Sequence, residues 1–134
     1  MKNKIKKNLI IDAANEKIIF KIIDKNKTYT NEYDNSRKNF DKFAMFLFKF
    51  LDKKKVNFES VEKVMVNLGP GKYSSIRTSI STLKAINLIY KFKIYGFSSK
   101  DVEKYDYSRV FELLKKGKLI KKLIKPLYMS SVSY

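Results

Sequence analysis

Val61-Glu62-Lys63-Val64-Met65-Val66-Asn67-Leu68-Gly69-Pro70-Gly71 is the stretch from which the architecture can be read. Val61 to Leu68 is rich in β-branched residues and is stopped by two glycines around a proline, which predicts a strand ending in an abrupt turn. A helix is predicted from about Ser74 to Tyr90, where Ile76, Ile80 and Leu83 share one stripe while Ile86, Ile89 and Tyr90 drift toward another side. Lys93-Ile94-Tyr95-Gly96-Phe97 then reads as a strand. Strand, helix, strand in this order predicts a right-handed crossover with the two strands parallel.

Working toward the N-terminus, Asn8 to Ala13 suits a buried central strand, Lys17 to Asp24 a second and Thr28 to Tyr33 a third, joined by turns at 15–16 and 24–27. Ser36 is placed to cap a helix running to about Lys53, with Phe40, Phe43, Ala44, Leu47 and Leu51 facing the sheet. Met45, Phe46, Phe48 and Phe50 lie partly off that stripe, so both helices carry more apolar surface than one buried face needs. The pairs Phe46/Phe50 and Ile86/Ile89 are therefore assigned to a partner, with Phe43, Arg77, Leu83 and Tyr90 in the same surface. Arg77 contacts that partner or an RNA phosphate, or pairs with a local carboxylate such as Asp12 or Glu62.

Beyond Ser98 the pattern predicts a helical turn over 99–104 and a helix over 107–116 ended by Gly117. Residues 118–124 form a short basic helix or strand, and Pro126 keeps the tail extended.

A length of 134 residues with 44% hydrophobic content fits one domain with a real core. The apolar run 43–48 ends at Lys49, far short of the roughly 20 residues of a bilayer span, and 1–7 is a basic arm without a following signal-peptide core. A cytoplasmic protein is expected. Cysteine and histidine are both absent, which removes disulfides, thiolate zinc sites and the common nucleophile–base pairs. No catalytic residue, metal site or cofactor is nominated, and Asp12 reads as a strand-end turn former. Gly69, Pro70 and Gly71 lack the spacing of a P-loop and read as a tight turn. The net charge of +17 permits a nucleic-acid-binding surface; equally, with Arg at only 37, 77 and 109, it fits codon drift toward lysine.

The turn carries a resemblance. Gly69-Pro70-Gly71-Lys72-Tyr73-Ser74-Ser75-Ile76-Arg77, followed by Thr82 and Lys84, is similar to the turn and helix of the TsaB (YeaZ) family. Ile94 to Ser99 looks like that family's Gly-Val-Ser-Ser strand, Leu9 to Ala14 like its opening strand, and Lys125-Pro126-Leu127-Tyr128-Met129 like its closing tail. Ser75 stands where the family has glycine, Lys72 where it has a small residue, and Ala13-Ala14 where it has hydroxyls. The resemblance implies an α/β fold: a single actin-like ATPase (ribonuclease H-like) lobe with a five-stranded mixed sheet over 8–99, and residues 100–134 as a shortened remnant of the second lobe. It implies a non-catalytic partner of the transferase TsaD in tRNA threonylcarbamoyladenosine modification, with a TsaE-like ATPase joining. Pairing would use both helices, with a homodimer forming when the chain is alone and any tRNA contact indirect. Two rivals remain: a basic RNA-binding module acting without TsaD, and an ATP-binding enzyme of the actin-like fold.

Overall fold

The computed structural model describes residues 6–25, 27–122 and 124–127, with Phe40 described by its backbone alone. Tyr128 and Met129 of the tail and residues 1–5 of the arm lie outside the described residues. The elements are β1 (Lys7–Asp12), β2 (Lys17–Asp24), β3 (Lys27–Asp34), α1 (Arg37–Phe40), α2 (Phe43–Lys53), β4 (Val61–Asn67), α3 (Tyr73–Asn87), β5 (Lys93–Phe97) and α4 (Ser108–Lys115). Short 3-10 turns occupy Phe58–Ser60 and Ser99–Asp101.

One five-stranded sheet runs in the order β3-β2-β1-β4-β5. The first three strands form an antiparallel meander, and β4 joins β1 in parallel, with β5 parallel to β4. The parallel pair β4/β5 spans α3, as the turn and helix pattern predicts. Alternation splits β1 between the two faces of the sheet. Leu9 and Ile11 point into the larger core with Phe20, Val64 and Val66, closed by α2 and α3. Ile10 points the other way, into a smaller core with Ile19, Met65, Tyr95 and Phe97, closed by Tyr107, Val110 and Leu119.

The C-terminal segment therefore covers the second face of the sheet. Gly117, at φ 68°, ends α4 in the left-handed conformation. Ile120 then exchanges two backbone hydrogen bonds with Gly96 at the β5 edge, and Ile124 reaches the larger core. Neither the helix nor the strand expected over 118–124 forms among the described residues, which hold only an isolated bridge at Ile120.

The single helix expected from Ser36 is broken. Ser36 does cap a helix, its hydroxyl accepting from the Asn39 amide at 3.3 Å, but α1 ends at Phe40 and α2 starts afresh at Phe43. With Asp41 and Lys42 between them, α2 turns so that Phe43, Leu47, Phe50 and Leu51 are the buried stripe and Ala44 is exposed.

Candidate functional site

The outer face of α2 is partly apolar, whereas that of α3 is polar, carrying Ser74, Arg77, Thr78, Ser81 and Thr82; the exposed apolar side chains gather on α2 and just past the end of α3. On α2, Met45 and Phe48 are 43% and 45% exposed. Past the end of α3, Leu88 and Ile89 are 83% and 74% exposed, more than any other large apolar side chains described. Phe58 bridges the two helices at their common end: its ring meets Phe48 edge-on with centroids 5.5 Å apart and lies tilted against Tyr90 at 5.7 Å. Phe58 is itself buried, so it ties Phe48 to Tyr90 from beneath the surface.

Several residues assigned to the partner surface lie in the core instead. Phe50 stacks on Phe20 at 6.0 Å and Phe43 meets the same ring edge-on at 5.4 Å; both are buried, as is Leu83. Ile86 is 7% exposed, and Phe46 is half-buried, stacked flat on Tyr33 at 4.3 Å. The pair Phe46/Phe50 fails to share an outer face because α2 rotates Phe50 inward. Ile86 turns in while Ile89, beyond the last helical residue, turns out. Arg77 is exposed and pairs with neither Asp12 nor Glu62; its guanidinium sits over the Tyr73 ring, 5.3 Å from the centroid. Tyr90 is half-buried.

At the opposite end of α3 the Gly69-Pro70-Gly71 turn is packed into the chain. A Cβ on Gly71 would fall 2.1 Å from the Ala14 carbonyl oxygen, so only glycine allows this approach. The Lys72 amide donates to that carbonyl at 2.7 Å, and the Gly69 amide donates to Asn67 Oδ1 at 2.8 Å. Ser99 clamps the turn from β5, its hydroxyl donating to the Pro70 carbonyl at 2.6 Å. Asn35 joins the neighbouring loops: its side-chain amide donates to the carbonyls of Ala13 and Asn15, and its Oδ1 accepts from Ser75 Oγ at 2.6 Å. Lys72 Nζ reaches the Asn35 carbonyl at 3.0 Å.

Asp12 is fully buried beside this turn. Its carboxylate accepts from Tyr107 Oη at 2.7 Å, Asn67 Nδ2 at 2.9 Å and the Ala14 amide at 3.2 Å. Burial pushes the carboxyl above its ordinary value despite those three donors, and burial beside Asp12 raises the Tyr107 hydroxyl too. With its lone pairs so engaged and Tyr107 packed over it, Asp12 has no exposed oxygen to offer a substrate. Among the described residues no group of three or more acidic side chains is placed to hold a metal ion. Nor is any described helix long and apolar enough to cross a membrane.

No family model matches the sequence, and no curated protein matches it closely enough to count. Solved structures do match. YeaZ from Pseudomonas aeruginosa superposes with a TM-score of 0.63 at 15% identity, over 69% of this chain and 44% of that one. The fold is YeaZ-like. A second structure, described as an uncharacterized protein with similarity to peptidase YeaZ from Pseudomonas aeruginosa, gives the same score and identity over 69% and 43%. RuvC of T. thermophilus, in complex with a Holliday junction substrate, matches at TM-score 0.50 and 8% identity, over 72% of this chain and 66% of that one. These are ribonuclease H-like folds, and the chain spans less than half the length of the YeaZ structures it matches.

Within this YeaZ-like frame the unusual turn residues serve one another. Lys72 and Ser75, where the resemblance puts a small residue and glycine, both bond Asn35, and Ala14 supplies the surface on which Gly71 rests. Tyr107, from the segment after the fifth strand, completes the shell around Asp12. Sequence spacing gave no hint of that contact, which joins residues 95 positions apart.

Tyr107→Phe tests the role of this shell. Losing a hydrogen bond to a charged group costs about 1.5–3 kcal/mol, so the variant should unfold at lower urea concentration at neutral pH. A carboxyl raised on folding contributes fully below its ordinary value of 3.8 and loses that contribution as pH rises through its folded value. Tyr107→Phe raises the folded value further, so its deficit should grow from pH 4 to pH 7. A deficit independent of pH would show that the hydroxyl does not hold the Asp12 charge.

Proposed function

We propose that this chain is a shortened TsaB (YeaZ)-type protein that performs no chemistry itself. It holds a TsaD-like transferase through α2 and α3 during threonylcarbamoyladenosine formation at the adenosine beside the tRNA anticodon, with a TsaE-like ATPase in the assembly. The YeaZ-like fold and the family-like turn support the lineage. One observation carries the docking reading: Leu88 and Ile89, just past the end of α3, are left largely in water, next in sequence to Tyr90, which Phe58 links to the exposed Phe48 of α2. Large apolar anchors at an interface centre are worth about 2 kcal/mol or more each, roughly thirtyfold in affinity.

Leu88→Asp with Ile89→Asp is the corresponding test. Because both side chains are exposed, the double variant should melt like the parent chain, yet lose affinity for the TsaD-like paralogue of its own cell by about a hundredfold or more. It should also turn the expected homodimer into a monomer in light scattering. An unchanged affinity in a folded variant would refute the assignment of this face. The ATP-binding rival is tested by calorimetric titration with Mg-ATP. Micromolar affinity would favour it over the docking role, whereas the engaged Asp12 carboxylate favours no binding.

A further inference from the structure

The cations are not spread evenly over the two ends of the sheet. Because β1, β4 and β5 are parallel, their starts lie together. At that end stand Lys6, Lys7, Lys63, Lys91 and Lys93, all at least partly exposed, with Glu59 and Glu62 the acids beside the start of β4. Lys63 and Lys93 are direct partners across β4 and β5, an arrangement of like charges that costs stability where nothing offsets it. Lys6, Lys91 and Lys93 line a cleft of about 380 Å³ together with Glu62, Asn87 and Phe92. The turn after β2 and the end of α2 add lysines at 25, 27 and 53–55 on the same side, together with Asp24 and Asp52, so that ten lysines face four acids there.

The opposite end differs. There Glu16, Asp34, Asp101, Glu103 and Asp106 stand among the lysines. The ion pairs Lys17–Asp34 (2.9 Å) and Lys72–Glu16 (3.6 Å) both form there, and the third described ion pair, Arg109–Glu112, lies on α4. Among the described residues no ion pair engages the lysines at the strand starts. Codon drift adds lysine without regard to where a residue lands in the fold, so it gives no reason for the lysines of one end to stay out of ion pairs while the other end forms them.

We propose that the strand-start end is a binding surface for the phosphodiester backbone of a single-stranded or looped nucleic acid. A concave row of unpaired ammonium groups suits a narrow polyanionic strand better than a flat bilayer surface. Phe92, the aromatic ring of the cleft, is only 7% exposed and offers no face for stacking, so binding is set by charge and is insensitive to base sequence. This surface adjoins the docking face, since Asn87 and Lys91 flank Leu88, Ile89 and Tyr90, but its lysine variants leave those apolar residues unchanged, so it stands or falls independently of the docking proposal.

The test is an anisotropy titration of the full chain with a labelled RNA hairpin and with single-stranded DNA of equal length, between 50 and 200 mM salt. Binding should weaken steeply with salt for both, and a preference for the hairpin would identify RNA as the better source of the backbone. Lys63→Glu, Lys91→Glu and Lys93→Glu together should weaken binding at least about tenfold and flatten the log–log salt slope by roughly 2. The matching Gln triple should do so to a lesser degree, and serves if the Glu triple misfolds. Lys38→Glu, Lys100→Glu and Lys104→Glu, at the other end, change net charge equally and should leave most of the affinity intact. Equal losses in both Glu triples would reduce the effect to net charge and overturn the proposal. So would absence of binding at 50 mM salt. Loss of binding to phosphatidylserine vesicles with nucleic-acid affinity unchanged would reassign the surface to membranes and overturn it as well.

Discussion

Phe50→Ala is expected to remove a large share of the chain's stability, whereas Phe48→Ala, two residues earlier on the same helix, should cost much less. Phe50 is buried and stacks on Phe20, whose ring also meets Phe43 and Tyr33, so its removal opens a cavity at the centre of the larger core. Such truncations cost about 3–5 kcal/mol, against a total of about 5–15 kcal/mol for a domain. Phe48 is 45% exposed and loses chiefly its edge contact with Phe58, worth about 0.5–1.5 kcal/mol. Urea denaturation of both variants measures the difference directly. Similar midpoints would mean that α2 does not present Phe50 inward, and the assignment of its outer face would fail with it.

Gly71→Ala should be comparably damaging for a single added methyl. The new carbon would lie 2.1 Å from the Ala14 carbonyl oxygen and 2.9 Å from Ala14 Cβ, and the nearest obstacle is backbone that cannot rotate away. Relief requires the turn to lift from β1, which stretches the Lys72–Ala14 hydrogen bond and shifts the start of α3. Overpacking of this kind costs about 1–3 kcal/mol or more. Gly117→Ala is the control, since nothing lies within 4 Å of its added carbon and only the positive φ is strained; it should cost about 1 kcal/mol. The variants differ most if thermal unfolding and assembly are followed together, because displaced α3 carries Leu88 and Ile89 with it. A Gly71→Ala protein as stable as the parent would contradict the close packing of turn on strand.

The sheet was legible because its signals are local. β2 and β5 fall where alternation and turn residues put them, and the crossover from β4 through α3 follows from the Gly-Pro-Gly punctuation. The break at Asp41–Lys42 was not legible, since apolar spacing runs through it from Phe40 to Leu47 without interruption. That break alters which phenylalanines face inward. With aromatic residues at 43, 46, 48 and 50, either of two stripes satisfies a helical period, and only packing against Phe20 selects between them. Of the residues assigned to docking, Ile89 is well exposed, while Phe43, Phe50 and Leu83 support that face from beneath. Met45, Phe48 and Leu88 are the larger exposed groups. The first two were visible as apolar excess; Leu88 was hidden by extending the helix to Tyr90, when α3 ends at Asn87.

The bridge between Ile120 and Gly96 has a bearing on how copies of this chain meet. A sheet border with unused amides and carbonyls recruits strands from other molecules, the first step toward ordered aggregates. Here the chain's own returning segment occupies that border at β5. The opposite border, β3, presents Thr28, Thr30, Glu32 and Asp34 to water, a hydroxyl- and carboxylate-bearing row that discourages apolar zippering. With one margin bridged and the other charged, strand-to-strand growth is disfavoured on both sides.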